Sequence, residues 1–147
     1  MNQLSWAREE YKFKLWAYVI MPDHVHLLIW PGERGHIISE VLHRIKGLTA
    51  SIYKQHLVSQ SPEMLDAYSF DFKGKKKFKF WQSGGGFDRN LWNAKPIHQS
   101  IGYIEGNPVQ AGYVDEAEKW PWSSAWARKQ KQGVVPNSGN IPTFMSS

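Results

Sequence analysis

Two segments with alternating side-chain character lie near the start of the chain, at residues 13–20 and 24–30. Each pattern predicts a β-strand, and the Pro22-Asp23 pair between them predicts a tight turn. Because side chains alternate between the two faces of a strand, His24 and His26 are expected on the same face. This part of the chain therefore predicts a β-hairpin that carries two imidazoles.

The hydrophobic spacing becomes helical after a Pro- and Gly-containing loop at residues 31–35, and it stays helical from about 37 to 57. The apolar positions of this helix are Ile38, Val41, Leu42, Ile45, Leu48 and Ile52. We expect this stripe to pack against the face of the second strand that Val25, Leu27 and Ile29 form.

A second helix is predicted at residues 96–107, where one proline opens it and Pro108 closes it. Its apolar face consists of Ile97, Ile101 and Ile104. At about 100° per residue, Tyr103 and Asn107 lie together on roughly the opposite face, one turn apart. Tyr103 is therefore not expected to be a core residue.

Weaker patterns predict the remaining elements. Residues 1–11 indicate a short helix, and alternating aromatic residues predict a strand at 78–82. The Trp-rich residues 120–126 form a compact aromatic cap, and the polar residues 128–147 predict a disordered tail.

Length and composition narrow the function classes. The chain has 147 residues, enough for one domain, which we place at residues 1–127. It contains no cysteine, so disulfides, thiolate metal sites and cysteine nucleophiles are excluded. No apolar run reaches the length of a membrane span and no signal peptide is present, so we expect a cytoplasmic protein without membrane attachment. The net charge of +5 favours a polyanionic partner, with nucleic acid the first candidate.

A basic run at residues 73–79 continues into the aromatic residues Phe80 and Trp81. Lysines beside aromatic rings suit contact with a nucleic-acid backbone and unpaired bases, and the alternative is a solubilising loop. Basic side chains outside the stripe of the long helix are either solvated or meet phosphate. The candidate DNA contacts are Arg44, Lys46, Lys75, Lys76, Lys77, Trp81 and Arg89.

The two histidines of the predicted hairpin admit two interpretations. Two imidazoles two residues apart on a rigid strand make a pair of ligands for a divalent metal. A single strand histidine is usually an ordinary hydrogen-bonded residue, so the pattern by itself leaves both interpretations open.

Three segments, in this order, resemble one family. Residues 17–28, AYVIMPDHVHLL, look like the histidine–hydrophobe–histidine (HUH) signature of the single-tyrosine transposases. Residues 103–109, YIEGNPV, followed by Ala-Gly, look like their tyrosine helix, and residues 120–124, WPWSS, are similar to the motif after it. The last two segments resemble the branch associated with repetitive extragenic palindromes (REP). Weaker matches are Lys46-Gly47, Phe80-Trp81-Gln82 and Phe87-Asp88.

The resemblance implies a transposase that nicks and rejoins single-stranded or hairpin DNA. Tyr103 would be the nucleophile and would leave a 5′-phosphotyrosine and a free 3′-OH. His24, His26 and Asn107 would bind a divalent ion, Mg²⁺ or Mn²⁺, which offsets the charge at phosphorus.

The resemblance also implies an α+β fold, a ferredoxin-like antiparallel sheet with helices on one face. The first strand and most of the first helix of that fold should precede residue 13, so the chain looks N-terminally truncated. Without that strand, the strands at 24–30 and 78–82 would keep open hydrogen-bonding edges. We therefore expect impaired folding as a monomer, unless a second copy in a homodimer supplies the pairing.

Two local departures from the family pattern bear on the site. Asp23 stands where the family usually has Asn, and its carboxylate adds a charge that could join the metal shell. Gly102 precedes the tyrosine where the family often has a larger, commonly basic residue.

Three functions compete on this sequence. The first is an active tyrosine transposase, and the second is a DNA-binding remnant that keeps the basic surface without cutting. The third is an unrelated metal hydrolase that uses His24 and His26, which leaves Tyr103 and Asn107 without a role. Formation of a covalent protein–DNA adduct separates the first function from the other two.

Overall fold

The computed structural model describes residues 2–31, 38–82, 89–136 and 141–142, without the side chain of Asn2. Its helices and strands are α1 Asn2–Tyr11, β1 Lys14–Ile20, β2 Val25–Trp30, α2 Ile38–Gln60, β3 Ser69–Phe72, β4 Lys75–Phe78, α3 Ala94–Gln110 and α4 Ser124–Gln130. Short 3₁₀ turns occupy Pro62–Leu65 and Ala117–Lys119. The family match at Phe87-Asp88 and most of the predicted loop at residues 31–35 lie outside the described residues.

The chain divides into two compact units, where the sequence analysis expects one domain over residues 1–127. The first unit comprises Met1–His36 and Arg89–Ser147, and the second comprises Ile37–Asp88. Each unit contains a two-stranded antiparallel sheet and helices, which confirms the predicted α+β class. Within the described ranges, no helix is both long enough and apolar enough to cross a membrane.

The predicted N-terminal hairpin is confirmed in the first unit. β1 pairs with β2 in an antiparallel register that places Val19 opposite His26 and Ala17 opposite Leu28. The connecting turn is closed by the backbone N–H of Met21, which donates to the carbonyl of His24 over 2.8 Å. The register thus fixes which strand residues share a face with the histidines.

One hydrophobic cluster of the first unit lies on the histidine side of the hairpin. Its buried members are Ala17, Val19, Met21 and Ile104, with Leu28, Ile101 and Trp120 packed against them. The predicted burial of Val25, Leu27 and Ile29 is not confirmed, because these side chains stay half-exposed while Leu28 of the opposite face joins the core. The tertiary packing is the reason, since α3 lies against the Leu28 face of the hairpin.

Residues 120–123, which belong to the predicted aromatic cap, cover the free edge of β1. Val19 forms an isolated antiparallel bridge with Ser123, and the N–H of Ile20 donates to the carbonyl of Trp122 over 2.9 Å. The indole N–H of Trp120 donates to the carbonyl of Ile20 over 2.9 Å. The WPWSS motif therefore satisfies backbone groups that an unpaired strand would leave open.

Helix α3 extends beyond the predicted boundary. The predicted helix ends before Pro108. In the structure α3 runs to Gln110, and Pro108 is buried in its last turn. Proline has no N–H to donate, and near the end of a helix this removes one bond without preventing the following residues from staying helical. The predicted apolar face is confirmed, since Ile97 and Ile104 are buried.

The predicted disordered tail is wrong for its first part. Helix α4 continues to Gln130, and Val134 and Pro136 are buried. The guanidinium of Arg8 donates to the carbonyl of Val135 over 2.7 Å, which ties this segment to α1. Burial of an apolar side chain and a long-range hydrogen bond outweigh the polar composition that predicted disorder.

In the second unit, the predicted strand at residues 78–82 is wrong, because β4 ends at Phe78. β3 and β4 form a hairpin whose two-residue turn is Lys73-Gly74, with φ angles of 53° and 73°. Both turn residues have positive φ, the requirement of the tight turn that best fits the twist of paired strands. Lysine is unusual there, which is why the turn was not predicted.

Beyond β4, the chain leaves the sheet and contributes its aromatic rings to the interior of the second unit. The ring of Phe80 lies 4.8 Å from that of Tyr53 and 5.1 Å from that of Trp81, measured between centroids. The hydroxyl of Tyr53 donates to that of Tyr68 over 3.4 Å. The alternating aromatic pattern that predicted a strand is therefore a packing cluster against α2.

Candidate active site

Two histidines and one tyrosine meet at one end of the first unit. The ring centroids of His24 and His26 are 4.9 Å apart, and the ring of His26 lies 5.8 Å from that of Tyr103, both edge-on. His24 ends the turn, His26 is the second residue of β2, and Tyr103 is on α3. The core contacts between the Leu28 face and α3 place these three side chains together.

Asp23 orients the first of the two imidazoles. Its Oδ1 lies 2.6 Å from Nδ1 of His24, and this hydrogen bond lowers the pKa of Asp23. An ionised carboxylate accepts the hydrogen, so Nδ1 of His24 donates and Nε2 is the nitrogen left for a metal. A carboxylate behind a ligating imidazole is a common arrangement in metal sites.

His26 is kept neutral by its surroundings. Partial burial lowers the pKa of His26, and the neighbouring His24 lowers it further. An imidazole binds a metal through a lone pair, so the neutral form is the form that can act as a ligand.

Tyr103 and Asn107 lie on the exposed side of α3, as predicted. The side chain of Tyr103 is 55% exposed, while the neighbouring Ile104 is 6% exposed and faces the core. The amide nitrogen of Asn107 donates to the carbonyl of Tyr103 over 2.8 Å. This hydrogen bond keeps the side-chain amide of Asn107 one turn from Tyr103, and it does not involve the amide oxygen of Asn107.

Sequence reasoning missed the side chains that hold the tyrosine helix in place. The carboxylate of Glu105 accepts hydrogen bonds from the guanidinium of Arg128 and from the hydroxyl of Ser124. The same hydroxyl accepts from the N–H of Tyr18 over 3.1 Å. Glu105 therefore connects α3 to β1 and α4, two residues from Tyr103. Glu105 belongs to the YIEGNPV motif and Ser124 to the WPWSS motif. The spacing of the two motifs along the chain does not show that these polar side chains meet.

Two of the candidate metal ligands lie close together. Imidazoles whose ring centroids are 4.9 Å apart are candidate ligands of one divalent ion. Among the residues that the structure describes, no group of three His, Cys, Asp or Glu side chains is arranged to hold a metal. A third protein ligand would have to come from another kind of side chain, such as the amide of Asn107 with its oxygen.

The candidate DNA contacts are divided between the two units. Arg44, Lys46, Lys75, Lys76, Lys77 and Trp81 belong to the second unit, and Arg89 is an exposed residue of the first. Several of them have partners within the second unit. Lys76 pairs with Asp66 over 2.6 Å, and the indole N–H of Trp81 donates to the carbonyl of Lys46 over 2.9 Å. Lys46 and Trp81, which belong to two of the weaker family matches, are therefore in contact with each other.

Comparison with known sequences identifies the family. The sequence profile described as "Transposase IS200 like" matches residues 3–86, more than half of the chain and including both histidines. The chain belongs to the IS200-like transposase family. The resemblance that the three motifs indicated is therefore confirmed.

Two relatives point to one branch of this family. A Haemophilus influenzae protein named as a REP-associated tyrosine transposase is 27% identical over 133 residues, which cover 87% of this chain and 67% of the relative. A solved structure of a REP-associated tyrosine transposase bound to a REP hairpin matches with a TM-score of 0.56 at 22% identity, covering 97% of this chain and 73% of that one. The structural match shows that the two chains share a fold.

Proposed function

We propose that this chain nicks and rejoins single-stranded DNA, with Tyr103 as the nucleophile. The observation that carries the proposal is the convergence of Tyr103, His26 and His24 on one exposed site. The tyrosine is exposed enough to reach a polymer substrate, and the helix that carries it is fixed from behind by Glu105. Membership of a transposase family supports the same reaction class.

The proposed reaction exchanges one phosphodiester for another. The phenol oxygen of Tyr103 forms a bond to phosphorus as the bond from phosphorus to the 3′ oxygen breaks. The phenol loses its proton and the leaving 3′ oxygen gains one, so the products are a 5′-phosphotyrosine and a free 3′-OH. Because the phosphodiester bond energy is retained, attack by a 3′-OH can rejoin the strand and release the tyrosine.

In the proposal, His24, His26 and the amide oxygen of Asn107 hold a divalent ion, Mg²⁺ or Mn²⁺. When bound, such an ion offsets the negative charge that builds on the phosphate oxygens. Asp23 keeps the His24 ring in the tautomer and orientation that direct Nε2 towards the site. Burial keeps His26 neutral, and Asn107 stays one turn from Tyr103 through its bond to the backbone.

The substrate in the proposal is a DNA hairpin with single-stranded flanks. The solved relative was bound to a REP hairpin, which supports this substrate class for the present chain. The net charge of +5 supports a polyanionic partner in general.

Covalent adduct formation tests the proposal. Labelled single-stranded DNA hairpins are incubated with the full chain and Mn²⁺, and the products are separated on a denaturing gel. We expect a protein-linked band that disappears for Tyr103→Phe and when the divalent ion is chelated. Tyr113→Phe is the matched control, because Tyr113 is similarly exposed at 53% and its ring stacks on that of Trp120.

Two results would contradict the proposal in different ways. DNA that is shifted on a native gel but never linked to protein would identify a DNA-binding remnant of a transposase. An adduct that persists in Tyr103→Phe would show that another residue is the nucleophile.

We include a homodimer in the proposal because, within the described part of the chain, the outer edge of β2 has no strand partner. An unpaired edge with half-exposed apolar side chains is a template for pairing with a second strand. Sedimentation velocity of the full chain tests this, and a single monomeric species over a wide concentration range would exclude it.

A further inference from the structure

The hairpin of β3 and β4 in the second unit has two chemically different faces. The register pairs Phe70 with Lys77 and Phe72 with Lys75, and residues opposite each other in a sheet share a face. We call this the Phe–Lys face. The other face pairs Asp71 with Lys76, and Ser69 with Phe78.

The other face is used internally. The ring of Phe78 lies 6.1 Å from that of Tyr68, which belongs to the aromatic cluster against α2. Lys76 is paired with Asp66 over 2.6 Å, and Asp71 accepts a hydrogen bond from the N–H of Gly74 over 3.1 Å. The polar and aromatic groups of this face therefore already have partners.

The Phe–Lys face is open. Phe70 and Phe72 are 41% and 46% exposed, large fractions for benzyl side chains. Lys77 lies 4.3 Å from the ring centroid of Phe72, and Lys79 lies 5.8 Å from that of Phe70. Asp71, the acidic residue of these two strands, is on the opposite face, so the Phe–Lys face carries positive charge without a carboxylate of its own.

We propose that the Phe–Lys face is a stacking platform for unpaired bases of single-stranded nucleic acid. The inference rests on the proposed function, which requires a single strand near the protein, and it adds a site that the family motifs do not include. Aromatic rings stack on bases of any sequence, and neighbouring lysines neutralise the phosphates between them. A duplex offers its phosphates but not its base faces, so it would use only the lysines.

The spacing of the rings suits a stretched strand. Residues two apart on one strand are separated by about 6.8 Å, which is about twice the 3.4 Å step between stacked bases. Each ring can therefore take one base of an extended strand. The lysine heads that now lie over the rings can move to phosphate when a base occupies the ring face, because their long side chains are flexible.

Binding measurements without catalysis test this platform. The full chain in EDTA is titrated into a fluorescent oligothymidylate of about 12 nucleotides, a length within the usual site size, and into a fully paired blunt duplex. We expect Phe72→Ala and Phe70→Ala each to weaken single-strand binding about fivefold or more, with duplex binding unchanged. Phe72→Leu keeps an apolar side chain and should show the same loss, since it lacks the ring.

A modified oligonucleotide gives a second measurement that needs no variant. An abasic strand of equal length keeps every phosphate and has no base to stack. The wild-type chain should bind it more weakly than Phe72→Ala binds oligothymidylate, because the abasic strand loses the stacking on both rings and the variant loses it on one. Lys77→Ala should weaken binding to both strand and duplex, while Lys76→Ala, whose charge is already paired with Asp66, should have the smaller effect.

Each outcome decides between the proposals. Equal losses for strand and duplex, or an abasic strand that binds as tightly as oligothymidylate, would overturn the stacking platform. If the phenylalanine variants bind single strands as tightly as the wild type and adduct formation is intact, this inference alone is refuted. An intact stacking signal without any adduct would refute the proposed catalysis and leave the platform standing.

Discussion

Glu105 in the first unit and Asp66 in the second both form ion pairs, in very different surroundings. The side chain of Glu105 is 12% exposed and that of its partner Arg128 is 33% exposed, whereas Asp66 and Lys76 are 78% and 65% exposed. The first unit thus encloses polar groups to hold a tyrosine helix. The second leaves its charges and two phenylalanine rings in solvent, where a polymer can reach them.

This difference has an energetic meaning. A pair removed from water leaves a costly unpaired charge when one partner is deleted, whereas an exposed pair is replaced by water at little cost. The stability of the first unit should therefore depend on single polar residues. The second unit should tolerate the same substitutions and lose only its interactions with ligands.

The largest expected effect tests this contrast directly. Glu105→Ala should lower the free energy of unfolding by about 2–4 kcal/mol, because it leaves the guanidinium of Arg128 without its carboxylate partner. Asp66→Ala should cost less than about 1 kcal/mol. Urea denaturation followed by circular dichroism measures both, and equal losses would refute the contrast.

A second prediction concerns the buried phenol of Tyr18. Burial raises its pKa to about 12, and its oxygen has no hydrogen-bond partner among the residues described. The unfolded chain loses this proton near pH 10 but the folded chain holds it, so stability is fully present below pH 10 and falls as pH rises towards 12. The loss is about 3 kcal/mol at most, because the pKa of Tyr18 is raised from about 10 to about 12 and each unit is worth about 1.4 kcal/mol.

Tyr18→Phe should remove that decline in stability between pH 10 and 12, and it should not destabilise the chain at neutral pH. Tyr113→Phe is the control, since the side chain of Tyr113 is 53% exposed and the phenol of Tyr18 is fully buried. Thermal unfolding of the wild type and of both variants, measured between pH 10 and 12, tests this prediction. A variant that declines as steeply as the wild type would show that another group is responsible.

The smallest expected effect compares one helix from each unit. A Cβ added at Gly102 in α3 or at Gly47 in α2 would meet nothing within 4 Å. Alanine at either position should therefore stabilise the chain by up to about 1 kcal/mol, through better helix propensity. Gly74→Ala should destabilise, because its φ of +73° is strained for any residue with a Cβ.

The glycine variants also sharpen the comparison between the units. A change in adduct formation with Gly102→Ala, without one for Gly47→Ala, would show that the stiffness of α3 next to Tyr103 matters for the reaction. Thermal melts of the three variants check the stability order, and a destabilised Gly102→Ala would contradict the open space above that residue.

Local sequence determined much of the fold. The alternating residues at β1 and β2 and the helical spacing of α2 and α3 were predicted, because the main determinant of each element is its own side-chain period. The placement of Tyr103 and Asn107 on one exposed helical face followed from the same geometry. The hairpin of β3 and β4 was missed, since its Lys73-Gly74 turn lacks the usual residues for positive φ.

Tertiary structure alone decided how these elements meet. Sequence spacing could not show that Leu28, and not Leu27, packs on α3, because both faces of the strand carry apolar residues and only the packing of the helix selects one. It also could not show that Ser124 and Glu105, nineteen residues apart, share a hydrogen bond. Lys76 and Lys77 are neighbours in sequence, yet one is paired and the other faces an open ring, because alternate residues of a strand point to opposite faces.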